Sequence, residues 1–267
     1  MPDTLDRLNA ALEGRYDLEC RLGEGGMATV FLADDLKHER KVALKVLKPE
    51  LAAAVGADRF LGEIKTTANL QHPHILPLFD SGEADGFLFF VMPYVQGETL
   101  RDRLEREGQL TVADAVRITE DVAEALTHAH ARGVIHRDIK PANILLGDGG
   151  AMVADFGIAL ALSSLDAAQI TATGISLGTP AYMSPEQVGG EGPVDGRSDL
   201  YSLGVVLYEM LVGEAPFTAP TLQGLMAKLL TEPAPSVRSV RPEVPKALAA
   251  AVGRVLDKDP GRRFDSV

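Results

Sequence analysis

Three polar side chains, Asp138, Asn143 and Asp155, stand next to short apolar segments in the middle of the chain. Side chains placed in this way at the ends of short strands can converge at one loop edge. Their carboxylate and amide oxygens are hard ligands that suit Mg²⁺, which keeps several waters and binds substrate phosphates. A carboxylate at the same edge can accept a proton from an attacking hydroxyl group. Taken singly, Asp155 would more often be a turn residue and His136 a hydrogen-bonded core residue, but the spacing of the whole set favours a site for metal and phosphate.

A glycine-rich segment, residues 22–30 (Leu-Gly-Glu-Gly-Gly-Met-Ala-Thr-Val), lies between two strand-like runs. Glycines let the backbone approach a ligand closely, and successive N–H groups can then point at phosphate oxygens. A glycine-rich hairpin turn without a ligand produces the same pattern. The segment alone therefore leaves both interpretations open.

Lys45 follows this segment inside the apolar run 42–47, at the distance that a hairpin and one strand require. A lysine in an apolar strand is costly to bury without a partner, so it needs an anion on one side and a carboxylate on the other. Glu63 can supply that carboxylate. The alternative is a surface lysine with its charged end in water and a solvated glutamate on a helix.

The elements that must position these residues fall into two regions. Residues 16 to about 95 are rich in β-branched and aromatic residues and predict strands at 16–22, 28–34, 40–47, 75–81 and 87–93. One helix is predicted at about 57–70, with Phe60, Ile64, Thr67 and Ala68 on one face.

After Gly97 the apolar spacing becomes helical. We predict a helix from Thr111 that stops at Gly133, a buried helix over 199–212, and further helices over 221–230 and 244–256. The stretch 158–184 has no sustained period and is longer than an ordinary connection, which is typical of a functional loop.

The composition narrows the class of protein. The chain has 267 residues, 46% of them hydrophobic, which is typical of a protein that buries a core. Its formal net charge of −12 argues against broad binding to nucleic acid or anionic membranes. The one cysteine, Cys20, excludes an intramolecular disulfide and a multi-cysteine zinc site and fits a reducing, cytoplasmic setting. A signal peptide is not expected at the N-terminus. The sequence contains no run of about 18 apolar residues, so a membrane-spanning helix is not expected either. The last helix, after Pro260, is expected to be incomplete.

Seven motifs, in the same order, resemble the signature set of the eukaryotic-type protein kinases over roughly residues 16–265. The resemblance implies an α+β, bilobal fold with a small antiparallel β lobe carrying one main helix and a larger, mostly helical lobe. It implies one catalytic domain over 1–267, with an ATP-binding lobe at 16–95 and a catalytic and substrate lobe at 96–267. The segments 25–28, 72–75 and 178–186 are most similar to those of bacterial serine/threonine kinases.

The resemblance also implies roles for individual residues in transfer of the γ-phosphoryl group of Mg-ATP to Ser/Thr hydroxyls. Asp138 would orient and deprotonate the acceptor, and Lys140 would stabilise the γ-phosphate. Asn143 and Asp155 would bind Mg²⁺, with Mn²⁺ as an alternative. Lys45, paired with Glu63, would bind the α- and β-phosphates. The other expected nucleotide contacts are Leu22, Gly23, Gly25, Gly26, Met27, Val30, Ala43, Met92, Pro93, Val95 and Leu145.

The chain departs from the family pattern at Ala28, in the glycine-rich loop, and at Pro93, one of the expected nucleotide contacts. Ala28 stands where the family has a third glycine, which adds one methyl group to the loop. Pro93 has no N–H, but that position contributes only its carbonyl to adenine, so proline is compatible.

Other matching positions imply structural and regulatory roles. Glu186, in Ser-Pro-Glu where the family has Ala-Pro-Glu, would pair with Arg263, and Asp199 would hold the catalytic loop. Lys140 and Thr179 favour Ser/Thr over Tyr acceptors. Arg137 suggests control by phosphorylation of the loop 158–184. The candidate phosphorylation sites are Thr171, Thr173 and Ser176, with autophosphorylation expected at the first two; the alternative is that all three are ordinary polar loop residues.

Two other functions stay open at this point. The chain could be a pseudokinase that binds nucleotide or partners without transfer, although the presence of all five charged and amide motif residues argues against it. It could also be a small-molecule kinase of related fold, although such enzymes generally lack the segments Gly-Thr-Pro and Pro-Glu present at 178–180 and 185–186. Expected partners are protein substrates and the chain itself, with no nucleic acid, and a homodimer through the small lobe by analogy. The resemblance implies a cytoplasmic domain, which a membrane helix could follow in a longer protein.

Overall fold

The computed structural model of the protein describes residues 4–156, 180–190 and 193–267. These residues form two compact units. The first contains residues 4–71 and 76–96 and is built on a β-sheet. The second contains residues 72–75, 97–156, 180–190 and 193–267 and is mostly helical. This organisation confirms the predicted α+β class.

The β-rich unit is built on an antiparallel sheet of five strands within the described residues, in the order β1-β2-β3-β5-β4. The strands are β1 (Tyr16–Glu24), β2 (Ala28–Asp35), β3 (Arg40–Leu47), β4 (Asp80–Ala84) and β5 (Phe87–Pro93). Strands β3 and β5 lie inside the sheet and are apolar on both faces, which is why their sequences are nearly continuous hydrophobic runs.

Helices cover both faces of this sheet. The helix α1 (Thr4–Ala11) packs on one face, where Leu8 and Leu12 are fully buried against β1, β3 and β5. The helices α2 (Pro49–Val55) and α3 (Ala57–Thr67) pack on the other face through residues that include Phe60 and Ile64. Since successive side chains of a strand alternate between faces, Lys45 shares this second face with Ala43.

The strand predicted at 75–81 is wrong. The structure forms β4 at Asp80–Ala84, and Ile75 makes a single parallel bridge with Val153 inside the helical unit. Two local features explain the error. Pro77 cannot donate to a ladder, and Asp85 and Gly86 both have positive φ, so these two residues alone form the tight turn that fixes the register of β4 against β5.

The helix predicted at about 57–70 is correct in position but too long, because α3 ends at Thr67 and leaves Ala68 exposed. The sequence analysis missed α1 and α2. Both are short, and α2 is separated from α3 by Gly56, whose φ of 79° ends the first helix.

The helical unit contains α4 (Leu100–Glu107), α5 (Val112–His130), α6 (Pro185–Gly189), α7 (Gly196–Val212), α8 (Leu222–Thr231), α9 (Val237–Val240) and α10 (Lys246–Val255). A small antiparallel sheet of β6 (Glu98–Thr99), β7 (Ile144–Gly147) and β8 (Gly150–Val153) packs on α5. Within the described residues, no helix has the length and apolar character needed to cross a bilayer.

The two longest helices agree with the sequence. Thr111 caps α5 by accepting a hydrogen bond from Asp114 N, as a helix starting at this threonine requires. The predicted buried helix at 199–212 is α7, in which every residue from Ser198 to Val212 is buried. It begins at Gly196, three residues earlier than predicted, because the Asp195 carboxylate caps it through Arg197 N.

Candidate active site

The glycine-rich segment forms the turn between β1 and β2. Gly23 pairs with Val30 in the sheet, and Gly25 N donates to Ala28 O at 2.9 Å, which closes the turn. A Cβ atom added at Gly23 would meet no heavy atom within 4 Å, and one at Gly25 would meet only Ala28 O, at 3.8 Å. The turn therefore leaves room beside its backbone, as an approaching ligand would need. Leu22, two residues before the end of β1, is 44% exposed.

An apolar surface follows the turn on one face of the sheet. Met27, Val30, Ala43 and Met92 belong to the same hydrophobic cluster, and Ala43 lies directly opposite Met92 across β3 and β5. Pro93 ends β5 and is half-buried, and so is Val95 just after it. Six predicted nucleotide contacts thus lie on β2, β3 and β5 or close to their ends within one unit.

Lys45 lies on β3, opposite Val30 of β2 and Phe90 of β5. Its ammonium nitrogen is 5.9 Å from the centre of the Phe90 ring. Glu63 lies half-buried on α3, the helix that packs into the same cluster. The pairing of Lys45 with Glu63 stays a prediction.

The helical unit carries the loop 136–143, which joins the α5 side of the unit to β7. Asp199, fully buried on α7, holds the start of this loop with both carboxylate oxygens. Oδ1 accepts from Arg137 N at 2.7 Å, and Oδ2 accepts from His136 N at 2.8 Å and bonds His130 Nε2 at 2.8 Å. A buried carboxylate with several donors is a rigid anchor.

His136 is a second anchor in the same loop. Its Nε2 lies 2.8 Å from Ala154 O and its Nδ1 accepts from Asp138 N at 3.2 Å, so the network assigns the proton to Nε2. The Phe156 ring packs edge-on against the imidazole with centres 4.6 Å apart. His136 is a satisfied core residue, as expected for an isolated histidine, and it also connects the loop to the end of β8.

Asp138 lies at the centre of a short polar network. Its Oδ2 accepts from Lys140 Nζ at 2.6 Å and from Asn143 Nδ2 at 3.1 Å. Asn143 Nδ2 also donates to Asp138 O at 2.8 Å. Both of these bonds use the amide nitrogen of Asn143, so its amide oxygen, Oδ1, lies at the opposite side of the amide group. Ala154 N donates to Asn143 O at 2.9 Å, so the backbone just before Asp155 is tied to this network.

Arg137 and Asp155 both have a φ of 68°, a left-handed conformation that is unusual for residues other than glycine. Such a conformation costs on the order of 1–3 kcal/mol and persists only where surrounding contacts impose it. Outliers of this kind cluster at functional sites. Here both are residues that the sequence analysis selected, and they lie at the two ends of the segment that also contains Asp138 and Asn143.

The helix α6 connects this loop to the C-terminal part of the chain. Ser184 caps it, and Gln187 Nε2 donates to Arg137 O at 2.8 Å. Glu186 accepts two hydrogen bonds from Arg263, each 2.8 Å long, and a third from Ser198 Oγ at 2.7 Å. Burial alone would raise the pKa of Glu186, but the hydrogen bonds from Arg263 and Ser198 outweigh it and hold this pKa below its usual range.

A second buried network was missed by the sequence analysis. Tyr182 donates to Glu209 Oε2 at 2.6 Å, and Arg101 bonds both Glu209 Oε1, at 3.0 Å, and the Tyr182 hydroxyl. Burial and the Glu209 carboxylate raise the pKa of Tyr182 above its usual range. His130 and Gln187 were missed as well, because their partners lie 69 and 50 residues away and no local spacing marks them.

Leu145 lies on β7 opposite Met152. Thr171, Thr173, Ser176 and Thr179 lie outside the described residues. Within the described part of the chain, no group of three or more His, Cys, Asp or Glu side chains is arranged to hold a metal ion.

The sequence profile described as "Protein kinase domain" matches residues 16–266. Among curated relatives, serine/threonine-protein kinase PrkC of Bacillus subtilis is 39% identical over 257 residues, 96% of this chain and 39% of that protein. PknJ of Mycobacterium tuberculosis is 43% identical over 259 residues, 94% of this chain and 43% of that protein. The chain thus spans about two fifths of the length of these relatives.

A solved structure, a mutant of the Mycobacterium tuberculosis PknI kinase domain, is similar to this fold with a TM-score of 0.74 and 32% identity. The match covers 95% of this chain and 91% of that one. The likeness thus extends to both units of the chain.

Proposed function

Because this chain belongs to the protein kinase domain family, we propose that it is a serine/threonine kinase that transfers the γ-phosphoryl group of ATP to protein hydroxyls. The observation that carries this proposal is the Asp138 carboxylate, 2.6 Å from the Lys140 ammonium and 3.1 Å from the Asn143 amide. A base, a cation and an oxygen ligand in one short loop are the groups that phosphoryl transfer needs.

Asp138 receives the proton of the acceptor hydroxyl as the hydroxyl oxygen bonds to the γ-phosphorus and the bond from that phosphorus to the departing ADP oxygen breaks. Two N–H donors hold its Oδ2, which fixes the plane of the carboxylate and lets Oδ1 take this role. The Lys140 ammonium stabilises the negative charge of the transferred group. Such groups act chiefly by position and charge, so their loss lowers the rate more than the stability.

The family uses ATP with a divalent metal ion, and we assign Mg²⁺, with Mn²⁺ as an alternative, to Asn143 and Asp155. The donor set fits, because Asn143 uses its Nδ2 on Asp138 and keeps an amide oxygen for a cation. The described residues hold no cluster of three acidic or histidine ligands, so phosphate and water oxygens would complete the shell, as Mg²⁺ prefers. When bound, the metal neutralises phosphate charge.

The β-rich unit supplies the groups for the nucleotide. The apolar surface of Val30, Ala43 and Met92 suits a flat base, and the open backbone of the glycine-rich turn suits phosphates. Lys45, with Glu63, is assigned to the α- and β-phosphates. Leu22, Pro93 and Val95 are assigned to the edges of the base and ribose by position in the family motif.

Control by autophosphorylation is part of the proposal. Thr171 and Thr173 are the assigned acceptors, with Ser176 as a further candidate, and the Arg137 guanidinium is the group that would bind the added phosphate. Intact-mass and peptide analysis after incubation with Mg-ATP tests this assignment. Absence of added phosphate on residues 158–184 would contradict it.

The proposed partners are proteins with serine or threonine acceptors, including a second copy of this chain. The net charge of −12 supports the absence of nucleic acid from this set. Homodimerisation through the β-rich unit rests on analogy and is tested by sedimentation of the purified chain.

The deciding experiment compares the wild type with Asp138→Asn in labelled ATP, Mg²⁺ and a generic protein acceptor. Asp17→Asn is the matched control, because Asp17 is exposed on β1. Transfer to protein Ser or Thr by the wild type and the control, but not by Asp138→Asn, supports the proposal. Nucleotide binding without transfer would favour a scaffold, and label on a small alcohol alone would favour a small-molecule kinase.

A further inference from the structure

The backbone of Arg137 is held on both sides of its Cα atom. Its N–H donates to Asp199 Oδ1 at 2.7 Å, and its C=O accepts from Gln187 Nε2 at 2.8 Å. Arg137 has a φ of 68°, and Asp138 is the next residue. The peptide plane between Arg137 and Asp138 sets the direction in which the Asp138 side chain leaves the backbone. A contact that holds the Arg137 carbonyl therefore also restrains the orientation of the Asp138 side chain.

Gln187 is itself held in one orientation. Its Oε1 accepts from Ser184 N at 3.0 Å and lies 3.2 Å from Ser184 Oγ, as part of the cap of α6. Because the amide oxygen is used by the cap, the amide nitrogen must point the other way, toward Arg137 O. The capping bonds therefore aim the donor at the catalytic loop.

The helix that carries Gln187 is anchored by the neighbouring residue. Glu186 is bound by Arg263 through two charge-assisted hydrogen bonds of 2.8 Å, and both side chains are buried. Bidentate pairs of this kind have little freedom to rotate. The donor of Gln187 is thus fixed relative to the body of the helical unit.

We infer that Gln187 is a positioning residue for Asp138, acting through the Arg137 carbonyl; this inference rests on the proposed kinase function. Gln187 supplies the restraint on the carbonyl side of the left-handed residue, and Asp199 supplies the restraint on the amide side. Loss of the Gln187 donor lets the peptide plane between Arg137 and Asp138 rotate. The carboxylate then spends less time where it can receive the acceptor proton.

Two variants separate the donor from the cap. Gln187→Glu keeps oxygen atoms for the Ser184 cap but, when ionised, has no hydrogen to donate to Arg137 O. Gln187→Met removes both contacts. The control is Gln109→Met, because Gln109 Nε2 makes the same kind of bond, 2.7 Å long, to Val212 O elsewhere in the helical unit.

We expect kcat to fall on the order of tenfold in both Gln187 variants, with KM for ATP within about twofold of the wild type. Gln109→Met should keep the wild-type kcat per folded molecule, whatever its melting temperature. A Gln187→Glu enzyme with wild-type kcat would overturn the inference, even if Gln187→Met fails to fold. An equal loss of kcat in Gln109→Met would also overturn it, since the effect would then be a general loss of stability.

Hydrogen exchange tests the restraint on Arg137 without measuring phosphate transfer. It therefore still tests the inference if the wild type is inactive and the proposed function fails. Hydrogen exchange of the peptide that contains Arg137 and Asp138 should accelerate in Gln187→Glu and stay unchanged in Gln109→Met. Equal exchange in Gln187→Glu and the wild type would refute the restraint itself.

Discussion

Arg263 and Glu186, 77 residues apart in the sequence, form a buried ion pair in which two guanidinium nitrogens each lie 2.8 Å from a carboxylate oxygen. The remaining Arg263 donors reach the backbone carbonyls of Asp257, Lys258 and Arg197. A buried pair satisfied in this way is costly to break, because a lone charge would stay behind in the core.

Removing one partner should therefore destabilise the helical unit strongly. We expect Glu186→Gln to lower the free energy of unfolding by about 3–5 kcal/mol, measured by chemical denaturation at pH 7. The double variant Glu186→Gln with Arg263→Met should recover part of this loss. Equal stability of the single variant and the wild type would show that the pair is not formed.

The same pair predicts a pH dependence on the acid side. The pKa of Glu186 is held below its usual range despite burial, so the carboxylate stabilises the folded state above its unfolded pKa of about 4.3. This contribution is lost as the pH falls through the lower, folded pKa. The stability difference between the wild type and Glu186→Gln should therefore shrink as the pH falls below about 4, in unfolding curves recorded at several pH values.

The environment of Lys258 predicts that the stability of the fold also depends on pH on the alkaline side. Its ammonium is buried without a hydrogen-bond partner among the described residues, 3.9 Å from the centre of the Phe217 ring. Burial and the nearby Arg263 charge lower its pKa to about 8, against about 10.4 in an unfolded chain. Between these values the unfolded chain binds more protons, so the stability of the wild type rises with pH.

Lys258→Met should accordingly be most stabilising below pH 8, and its advantage should disappear toward pH 10. Melting temperatures of the two proteins at pH 7, 8.5 and 10 test this. An advantage that does not change with pH would assign the effect to packing alone.

The Tyr182 hydroxyl should matter more to stability than another buried tyrosine hydroxyl. Tyr182→Phe removes the hydrogen bond to Glu209 and should cost about 1 kcal/mol. Tyr201→Phe is the control, because the Tyr201 hydroxyl is buried without a partner among the described residues. Equal unfolding free energies for the two variants would contradict the Tyr182 network.

Asp199→Asn tests the anchor of the catalytic loop. The amide keeps one acceptor oxygen but turns an N–H₂ group toward a backbone N–H, of either His136 or Arg137. We expect a loss of about 1–3 kcal/mol in stability together with a lower kcat, measured by denaturation and by phosphate transfer. If the variant kept both the stability and the kcat of the wild type, Asp199 would not be the residue that anchors the catalytic loop.

The sequence could predict what depends on local spacing. The buried helix α7 follows from its unbroken apolar composition, and the start of α5 follows from the threonine that caps it. Composition places the strand β4 too early, because the apolar run that contains Pro77 precedes it and the two-residue turn at Asp85 and Gly86 fixes its register.

In the candidate site, too, the residues that lie close together in the sequence could be predicted, and those that packing brings together could not. Asp138, Asn143 and Asp155 could be selected because they lie within 18 residues of one another. The contacts of Gln187 and His130 could not, because they depend on how α6 and α7 pack beside the loop, and side-chain packing across 50 or more residues leaves no period in the sequence.

The helix α1 has a practical consequence for how the chain can be shortened. The family profile begins at residue 16, yet Leu8 and Leu12 are fully buried on the sheet and Asn9 accepts a hydrogen bond from Leu18 N. A protein cut at residue 16 would present the apolar face beneath α1 to water, and exposed patches of this kind promote aggregation. Expression boundaries chosen by the profile alone would remove part of the folding unit.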